Sequence, residues 1–445
     1  MDQAPLFPLP EDVIATPVVT PSAAAARLCY AQRQQVHLRY AALDELLAGD
    51  HQARVVWAFV EAQDLSPLLQ AIEARTNTPG RPAIDPKILM GLWLLATLEG
   101  VGSARELDRR CETDIAYQWL CGGVSVNYHT LSDFRVRHGE ILDKLLTRQV
   151  AALLSQGLVT MDRVAQDGVR VRASAGKDTY RRRESLERCY AQAQEQVAAL
   201  QAQRQGDGAN EDRRRRAAQE RAAHERSERL SEALAQMQRM ESQDAERSPS
   251  KRQGAKKLRV STTDPQAPLM KMANGGYNPA VNVQFASQVS TQVILGVSVG
   301  TTTDRGELTP MLTQLHERYQ RYPDAQLVDG GYINNEALEW AATPAVNCVV
   351  YCPPVQSKQT GAKQACDPRK RDTPAILEWR ARMTSDHGKT IYRQRAQAEC
   401  VNARGRYCAL TQFTVRGLRK IRAAVLWFAL AHNMMRAYRL GAVTV

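Results

Sequence analysis

The sequence lacks the long apolar runs of a membrane protein. Its longest such run, from Ala423 to Ala431, has nine residues, far fewer than the roughly 20 that a membrane-spanning helix needs. The first residues, MDQAPLFPLPEDVIATP, are acidic and proline-rich and contain no apolar signal-peptide core. The sequence therefore predicts no membrane segment, and we expect a cytoplasmic location.

A cysteine framework is also lacking, because the nine cysteines are odd in number and scattered. This pattern is typical of a reducing compartment. Cys348, Cys352 and Cys366, with His387 beyond them, include a C-x3-C spacing, but the other gaps match no standard zinc site. Cys348 and Cys352 lie in the apolar run NCVVYCP, where a free cysteine packs as a small hydrophobic residue. Packing is favoured over zinc binding.

Acidic residues are outnumbered by basic ones. The chain of 445 residues has 59 Lys and Arg against 47 Asp and Glu, a formal charge of +12. A basic surplus of this size favours a polyanionic partner, most often nucleic acid. The length is sufficient for two or three domains.

Helical patterns fill residues 26–157, after a Pro- and Ala-rich tail at residues 1–25. Asp85 and Pro86 form the N-cap and first position of one predicted helix. The segment YHTLSDFRVRHGEILDKLLTRQVAALLSQG predicts a single helix of about eight turns that starts near Thr130. The region is predicted to be an all-α domain.

Two interpretations of this helical domain remain open. One helix could enter the major groove of DNA, as in helix-turn-helix proteins. Arg135, Arg137 and His138 cluster near the start of the last predicted helix and are the candidate DNA contacts. Alternatively, the helices pack only on one another and on the next domain.

Strand patterns begin after residue 157, where RVAQDGVRVRA alternates between apolar and polar residues. Residues 178–250 interrupt them with a heptad pattern that includes Leu186, Ala193 and Leu200. The glycines of GDGANED then predict a turn, so this insertion is expected to be an antiparallel helical hairpin, or arm. We hypothesise that the arm bridges two protomers or braces DNA.

With the arm removed, residues 158–177 and 260–445 have the predicted order β, β, β, α, β, α, β, α, α. Strands that alternate with helices over a mixed sheet indicate an α/β domain. This order is that of the ribonuclease H-like fold. It places the first strand, which contains Asp167, beside the fourth strand, which ends at Asp329.

Three acidic residues are thereby expected to converge, although 162 (329 − 167) and 70 (399 − 329) positions separate them. They are Asp167, Asp329 and Glu399. Three crowded carboxylates repel one another unless a cation lies between them. Oxygen ligands without His or Cys select Mg²⁺ or Mn²⁺. Two such ions about 3.5–4 Å apart would act on a phosphodiester.

The segment around Glu399, TIYRQRAQAECVNARGR, has a helical pattern. Tyr392, Arg395 and Glu399 recur at steps of three and four, which predicts one shared helix face. Arg395 is suited to a bidentate phosphate contact, and Tyr392 to a phosphate hydrogen bond or base stacking. An ordinary i,i+4 ion pair is the alternative. Gly168, Gly330 and Gly331 are expected to leave room for a sugar-phosphate backbone.

These residues resemble the DDE transposases of bacterial insertion sequences. VAQDGVRVRA is similar to the first-Asp strand of that family and LVDGGY to its second-Asp strand. YRQRAQAE matches the Tyr-x2-Arg-x3-Glu signature of one branch, whose usual Lys seven residues after the Glu is Arg406 here. YHTLSDFRVRH is similar to the helical N-terminal domain of these enzymes. The resemblance covers most of residues 40–440.

The resemblance implies a DNA transposase that acts as a homodimer on the terminal inverted repeats of its element and on target DNA. It implies hydrolysis at the element ends, then strand transfer by the freed 3′-hydroxyl, with Asp167, Asp329 and Glu399 holding Mg²⁺ or Mn²⁺. Arg406 is implied as a contact to terminal DNA, and the cytoplasmic enzyme would associate with the nucleoid. The alternatives are a nuclease of the same fold and a catalytically inactive DNA-binding protein.

Overall fold

The described part of the chain forms sixteen α-helices and eight β-strands in a computed structural model. The described residues are 40–72, 74, 82–202, 210–252, 254, 257–354 and 366–442. The predicted tail, residues 1–25, lies outside them. From Leu43 onward the described residues form one compact unit.

Short helices occupy the N-terminal part, as the sequence predicts. They are α1 Leu43–Leu46, α2 Gln52–Glu61, α3 Ser66–Gln70, α4 Pro86–Leu98, α5 Ala104–Thr113, α6 Ile115–Cys121, α7 Tyr128–Arg137 and α8 Gly139–Ser155. The predicted start of α4 is confirmed. Pro86 is its first residue, and the Asp85 carboxylate accepts a hydrogen bond from the Lys87 backbone N–H.

The prediction of one eight-turn helix from Thr130 is wrong, because the helix is interrupted at His138. The backbone of His138 has φ −104° and ψ 30°, outside the helical range, and no side chain caps α8. Both α7 and α8 pack on the last helix of the chain. At the break, a Cβ on Gly139 would lie 3.6 Å from that of Ala423. Arg135 and Arg137 therefore lie in the last turn of α7.

The strands that follow α8 form two separate sheets. The strands are β1 Arg163–Arg172, β2 Tyr180–Arg181, β3 Val260–Ser261, β4 Leu269–Lys271, β5 Tyr277–Gln288, β6 Ile294–Gly300, β7 Ala325–Leu327 and β8 Val349–Tyr351. The main sheet has the order β6–β5–β1–β7–β8, and β4 pairs with the start of β5. β5 is antiparallel to β1 and β6, whereas β1, β7 and β8 are parallel. The predicted contact between the first and fourth strands of this domain is confirmed.

Two long helices form the region of the predicted arm, α9 Arg183–Ala202 and α10 Asn210–Glu246. They run antiparallel, since Arg183 near the start of α9 pairs with Glu241 near the end of α10. Further along, Arg226 Nη1 donates to Gln196 Oε1 at 3.3 Å. Leu186 and Ala193 of the predicted heptad are buried between the helices. Most of the predicted turn lies outside the described residues.

The remaining helices cover the sheet. They are α11 Leu308–Tyr319, α12 Asn335–Ala341, α13 Pro374–Thr384, α14 Asp386–Arg393, α15 Ala396–Tyr407 and α16 Leu418–Arg439. No described helix is both long and apolar enough to cross a membrane.

The last helix, α16, joins the N-terminal helices to the sheet. Its middle, from Ala423 to Asn433, is buried throughout. Trp427 donates to the backbone oxygen of Arg135 on α7 at 3.0 Å. Phe428 contacts Phe285 of β5 with ring centroids 5.4 Å apart. A single hydrophobic core therefore includes residues of both regions.

Candidate active site

The first predicted acid, Asp167, lies where β1 extends past its parallel neighbour. β7 pairs with β1 only over Arg163 to Ala165, so that edge of β1 is free of β7 at Asp167. Asp329 follows two residues after β7 ends at Leu327. Because Ala165 pairs with Leu327, Asp167 in the middle of β1 and Asp329 just after β7 each lie two residues beyond the last paired residues of these adjacent strands.

Asp167 is held by two side chains of the segment that carries Glu399. Asn402 Nδ2 donates to Asp167 Oδ2 at 2.9 Å, and Arg395 Nη1 lies 3.4 Å from Oδ1. Burial raises the pKa of Asp167, whereas Arg395 and the Gly168 N–H lower it. The carboxylates of Asp304 and Glu399 raise it further. Negative charge is thus concentrated here and only partly compensated.

Arg395 lies between the acids. Its Nη2 donates to Glu399 Oε1 at 2.9 Å, which is the i,i+4 pair that the sequence predicts. Burial lowers the pKa of Arg395, but Asp167, Tyr392, Asp329 and Glu399 together raise it above its usual value. The structure therefore brings Asp167, Arg395 and Glu399 into contact and places Asp329 near the same guanidinium.

The prediction of one continuous helix through this segment is wrong. α14 ends at Arg393 and α15 begins at Ala396. Hydrogen bonds from the Gln394 and Arg395 N–H groups to carbonyls three residues earlier tighten the chain into a turn. Tyr392 consequently belongs to α14, half-buried, while Glu399 is on α15. Burial raises the pKa of Tyr392.

Asp329 is exposed and its backbone is anchored. Its carboxylate accepts the N–H of Gly330 at 2.6 Å, and the Cys352 thiol donates to the Asp329 carbonyl at 2.9 Å. Burial raises the pKa of the Cys352 thiol, and that of Cys348 to about 12. Both cysteines are interior packing residues, as expected.

Across the described ranges, no three His, Cys, Asp or Glu side chains are arranged to hold one metal ion. In the candidate site, the positive charge between Asp167 and Glu399 comes from Arg395. The acidic residues therefore come together, and Arg395 bridges Asp167 and Glu399.

Gly168 has a role that the sequence interpretation missed. A Cβ there would lie 2.2 Å from Asp304 Oδ1 and 2.4 Å from Gln284 Nε2. The absent side chain accommodates these protein groups, so the expected space for a DNA backbone at Gly168 is wrong. At Gly331, by contrast, a Cβ would have no atom within 4 Å.

A buried polar network behind the site was also missed. Gln326 Nε2 donates to Gln166 Oε1 at 3.1 Å, and Gln166 Nε2 donates to Gln284 Oε1 at 3.3 Å. The Tyr332 hydroxyl donates to the same Gln284 oxygen. The three glutamines lie in β1, β5 and β7 and are essentially inaccessible to solvent. Glutamine inside three buried strands was the signal available in the sequence.

The predicted DNA contacts of the helical region differ in accessibility. Arg135 is partly buried: Nη1 donates to the Gly102 carbonyl at 2.6 Å, and the guanidinium lies over the Trp93 ring. Burial lowers the pKa of Arg135 to about 10. These contacts hold α7 in place and engage the guanidinium within the protein, and a DNA contact by Arg135 stays a prediction. Arg137 is exposed and pairs with Asp133 at 2.9 Å.

His138 and Arg406 complete the predicted contacts. Burial, with nearby Arg137, lowers the pKa of His138, whose ring packs 5.0 Å from that of Phe134. Arg406 is exposed in the last turn of α15. Because Arg406 is seven residues after Glu399, the two side chains share one face of that helix.

For the DNA cleavage that the family resemblance implies, replacing Arg395 with Gln is expected to move the acidic limb of the pH–rate profile to higher pH. Arg395 lowers the pKa of Asp167 against the effect of burial, so its removal raises that pKa further. Cleavage rates measured from about pH 5 to 9 would show the shift. The neighbouring exposed Arg393, changed to Gln, is the control, and equal profiles for the two variants would contradict the assignment.

Two family models match the chain. A transposase domain (DUF772) matches residues 41–137, which include α1 to α7. A transposase DDE domain matches residues 245–434, which include Asp329, Arg395 and Glu399. Asp167 lies outside both matches, on β1, before the long helices α9 and α10. Neither curated proteins nor solved structures gave a match. With both characteristic domains present in this order, the chain belongs to the DDE transposases of the insertion-sequence type.

Proposed function

We propose that this transposase binds the terminal inverted repeats of its own element, cleaves the element ends and joins their 3′-hydroxyls to target DNA. Asp167, Asp329 and Glu399 are the proposed catalytic carboxylates. The observation that carries the proposal is the contact of Arg395 with both Asp167 and Glu399. It joins β1 to a helix far along the chain at the point where Asp329 also lies nearby.

The same proposal assigns a ribonuclease H-like fold to the α/β region. The sheet order β6–β5–β1–β7–β8, with β5 antiparallel to its neighbours, supports this assignment. We propose the domain division given by the sequence: residues 26–157, the catalytic segments 158–177 and 260–445, and the arm at 178–250. A homodimer is proposed from the family resemblance.

The donor chemistry of the site fits Mg²⁺ or Mn²⁺, since it consists of carboxylate and amide oxygens. Asn402 Oδ1 is buried without a hydrogen-bond partner, although its Nδ2 is bonded to Asp167. We propose that Asp167, Asp329 and Glu399 hold two ions. When bound, such ions activate the attacking oxygen and stabilise the leaving oxygen of a phosphodiester.

The side chains of the site would serve both steps of the reaction. Water attacks the phosphorus at the element end and breaks its bond to the 3′ oxygen. In strand transfer, that 3′-hydroxyl attacks a target phosphorus and displaces the 3′ oxygen of the target strand, so only the nucleophile changes. Arg395 and Tyr392 are the proposed contacts to DNA beside the acids. Arg406 is proposed to contact the backbone farther along α15, since it shares a face with Glu399.

A strand-transfer assay tests this function. The purified protein is given a pre-cleaved, labelled element end and a supercoiled target plasmid in Mg²⁺ or Mn²⁺. We expect label to appear covalently joined to the plasmid, and an end lacking the inverted repeat to give no joined product. Hydrolysis without joining would identify the nuclease alternative, and binding without either reaction would identify the inactive DNA-binding alternative.

A further inference from the structure

The loop between β6 and α11 brings another carboxylate to the candidate site, that of Asp304. Its Oδ1 accepts hydrogen bonds from Asn282 Nδ2 at 2.9 Å and from Gln284 Nε2 at 2.7 Å. Both donors are on β5 and are only 2% and 1% exposed. Two buried amides of the sheet therefore fix the position of this charged group.

Asp304 and Asp167 flank the same residue of β1. Asp304 Oδ1 occupies the space over Gly168, 2.2 Å from where a Cβ would be. Asp167 lies on the other face of the strand, since neighbouring positions alternate, and the Gly168 N–H lowers the pKa of its carboxyl group. β7 leaves this edge of β1 uncovered. The Asp304 and Asp167 carboxylates both raise the pKa of the Tyr332 hydroxyl, behind burial as the main cause.

A second observation concerns buried amide oxygens that lie beside these carboxylates. Asn282 Oδ1 is buried without a hydrogen-bond partner, 2.9 Å from the Cβ position of Gly168 and hence beside Asp304. Asn402 Oδ1, next to Asp167, is unpartnered as well. A buried polar atom without a partner is destabilising. Amide oxygens beside carboxylates are the ligands that hard divalent cations prefer.

We propose that Asp304 is a fourth carboxylate of the site and contributes, with Asp167, to the binding of divalent cations. The inference rests on the proposed function, because it concerns the same site. The proposal gives a role to the negative charge of Asp304, whose side-chain hydrogen-bond partners among the described residues are neutral amides. The competing explanation is that Asp304 only anchors the β6–α11 loop through its two hydrogen bonds.

The variant Asp304→Asn separates these explanations. Asparagine retains the volume and an Oδ1 that accepts both hydrogen bonds, so the loop remains anchored while the charge is lost. Titration calorimetry of the full-length protein with Mn²⁺ measures binding without any reaction. We expect the affinity to fall about tenfold or more in Asp304→Asn, and to fall also in Asp167→Asn. Asp324→Asn, at the opposite end of β7, is the matched control.

Two outcomes would overturn the inference. The first is wild-type Mn²⁺ affinity in Asp304→Asn while Asp167→Asn binds weakly, which leaves the proposed function intact. The second is a lowered melting temperature of metal-free Asp304→Ser, whose shorter side chain loses the two hydrogen bonds, with unchanged Mn²⁺ affinity, which indicates anchoring alone. If Asp304→Asn does not fold, Asp304→Ser and Asp304→Glu replace it, and equal affinities in the two would overturn the inference. Unchanged affinity in both Asp167→Asn and Glu399→Gln would instead reject the proposed function.

Discussion

Cleavage of element ends is expected to fall by at least about 1,000-fold when Asp167 is changed to Asn, which corresponds to about 4 kcal/mol of transition-state stabilisation. Asp167 is the acid on which Asn402 and Arg395 converge. Asparagine fills the same volume but removes the charge, and Arg395 retains Glu399 as its partner. Single-turnover cleavage of a labelled terminal repeat in Mg²⁺ measures the effect.

The control for this variant is Asp324→Asn. Asp324 precedes β7, at the end of the strand away from Asp329, and is 63% exposed in a surface pair with Arg321. Its cleavage rate should match that of the wild type. Folding is checked by thermal melting, which we expect to be unchanged for Asp167→Asn because burial disfavours the charge that is lost. Normal cleavage by a folded Asp167→Asn protein would reject the assignment of this acid.

The variant Gly388→Ala is expected to lower the free energy of unfolding by about 2–4 kcal/mol. Gly388 is buried in the first turn of α14. A Cβ there would lie 1.9 Å from the carbonyl oxygen of Arg382, on α13. This neighbour is a backbone atom, so it cannot rotate away as a side chain would. The junction between α13 and α14 must open to admit the methyl group.

Urea unfolding followed by circular dichroism measures the loss. Gly49→Ala is the control, because a Cβ at Gly49 meets no atom within 4 Å and the residue has no positive φ. Cleavage by Gly388→Ala should also decrease, since α14 leads directly into Arg395. Equal unfolding midpoints for the two variants would show that the junction tolerates the added carbon.

Local patterns and strand order were readable from the sequence. The N-cap at Asp85 depends on residues adjacent in the chain, and the structure confirms it. The adjacency of β1 and β7 follows from general rules for alternating strands and helices, and the structure confirms it.

The interruptions of the helices at His138 and at residues 394–395 could not be predicted from the sequence. A periodic pattern continues through both, because the residues on each side still bury apolar groups. The break at His138 follows from packing on α16, which local sequence cannot reveal. Between α14 and α15, tight hydrogen bonds replace one turn of helix.

Asp304 and the buried glutamines were missed for a related reason. Asp304 lies in the loop TTTDRGE, where an acid is ordinary, and its position over Gly168 depends on the pairing of β1 with β5. Arg135 is a converse case, in which the sequence did not reveal the contacts that the residue makes inside the protein. A basic cluster on a helix suggested DNA contact, but only the fold reveals that this guanidinium stacks on Trp93.

The burial of α16 also constrains how the protein is made. This helix comes after more than 400 other residues, yet the interior of both halves closes around it. During synthesis, the apolar surfaces of the earlier helices and strands that pack on α16 stay exposed until α16 leaves the ribosome. Assembly of the interior is therefore a late event, and a nascent chain halted before Leu418 would give chaperones and proteases a long interval in which to act.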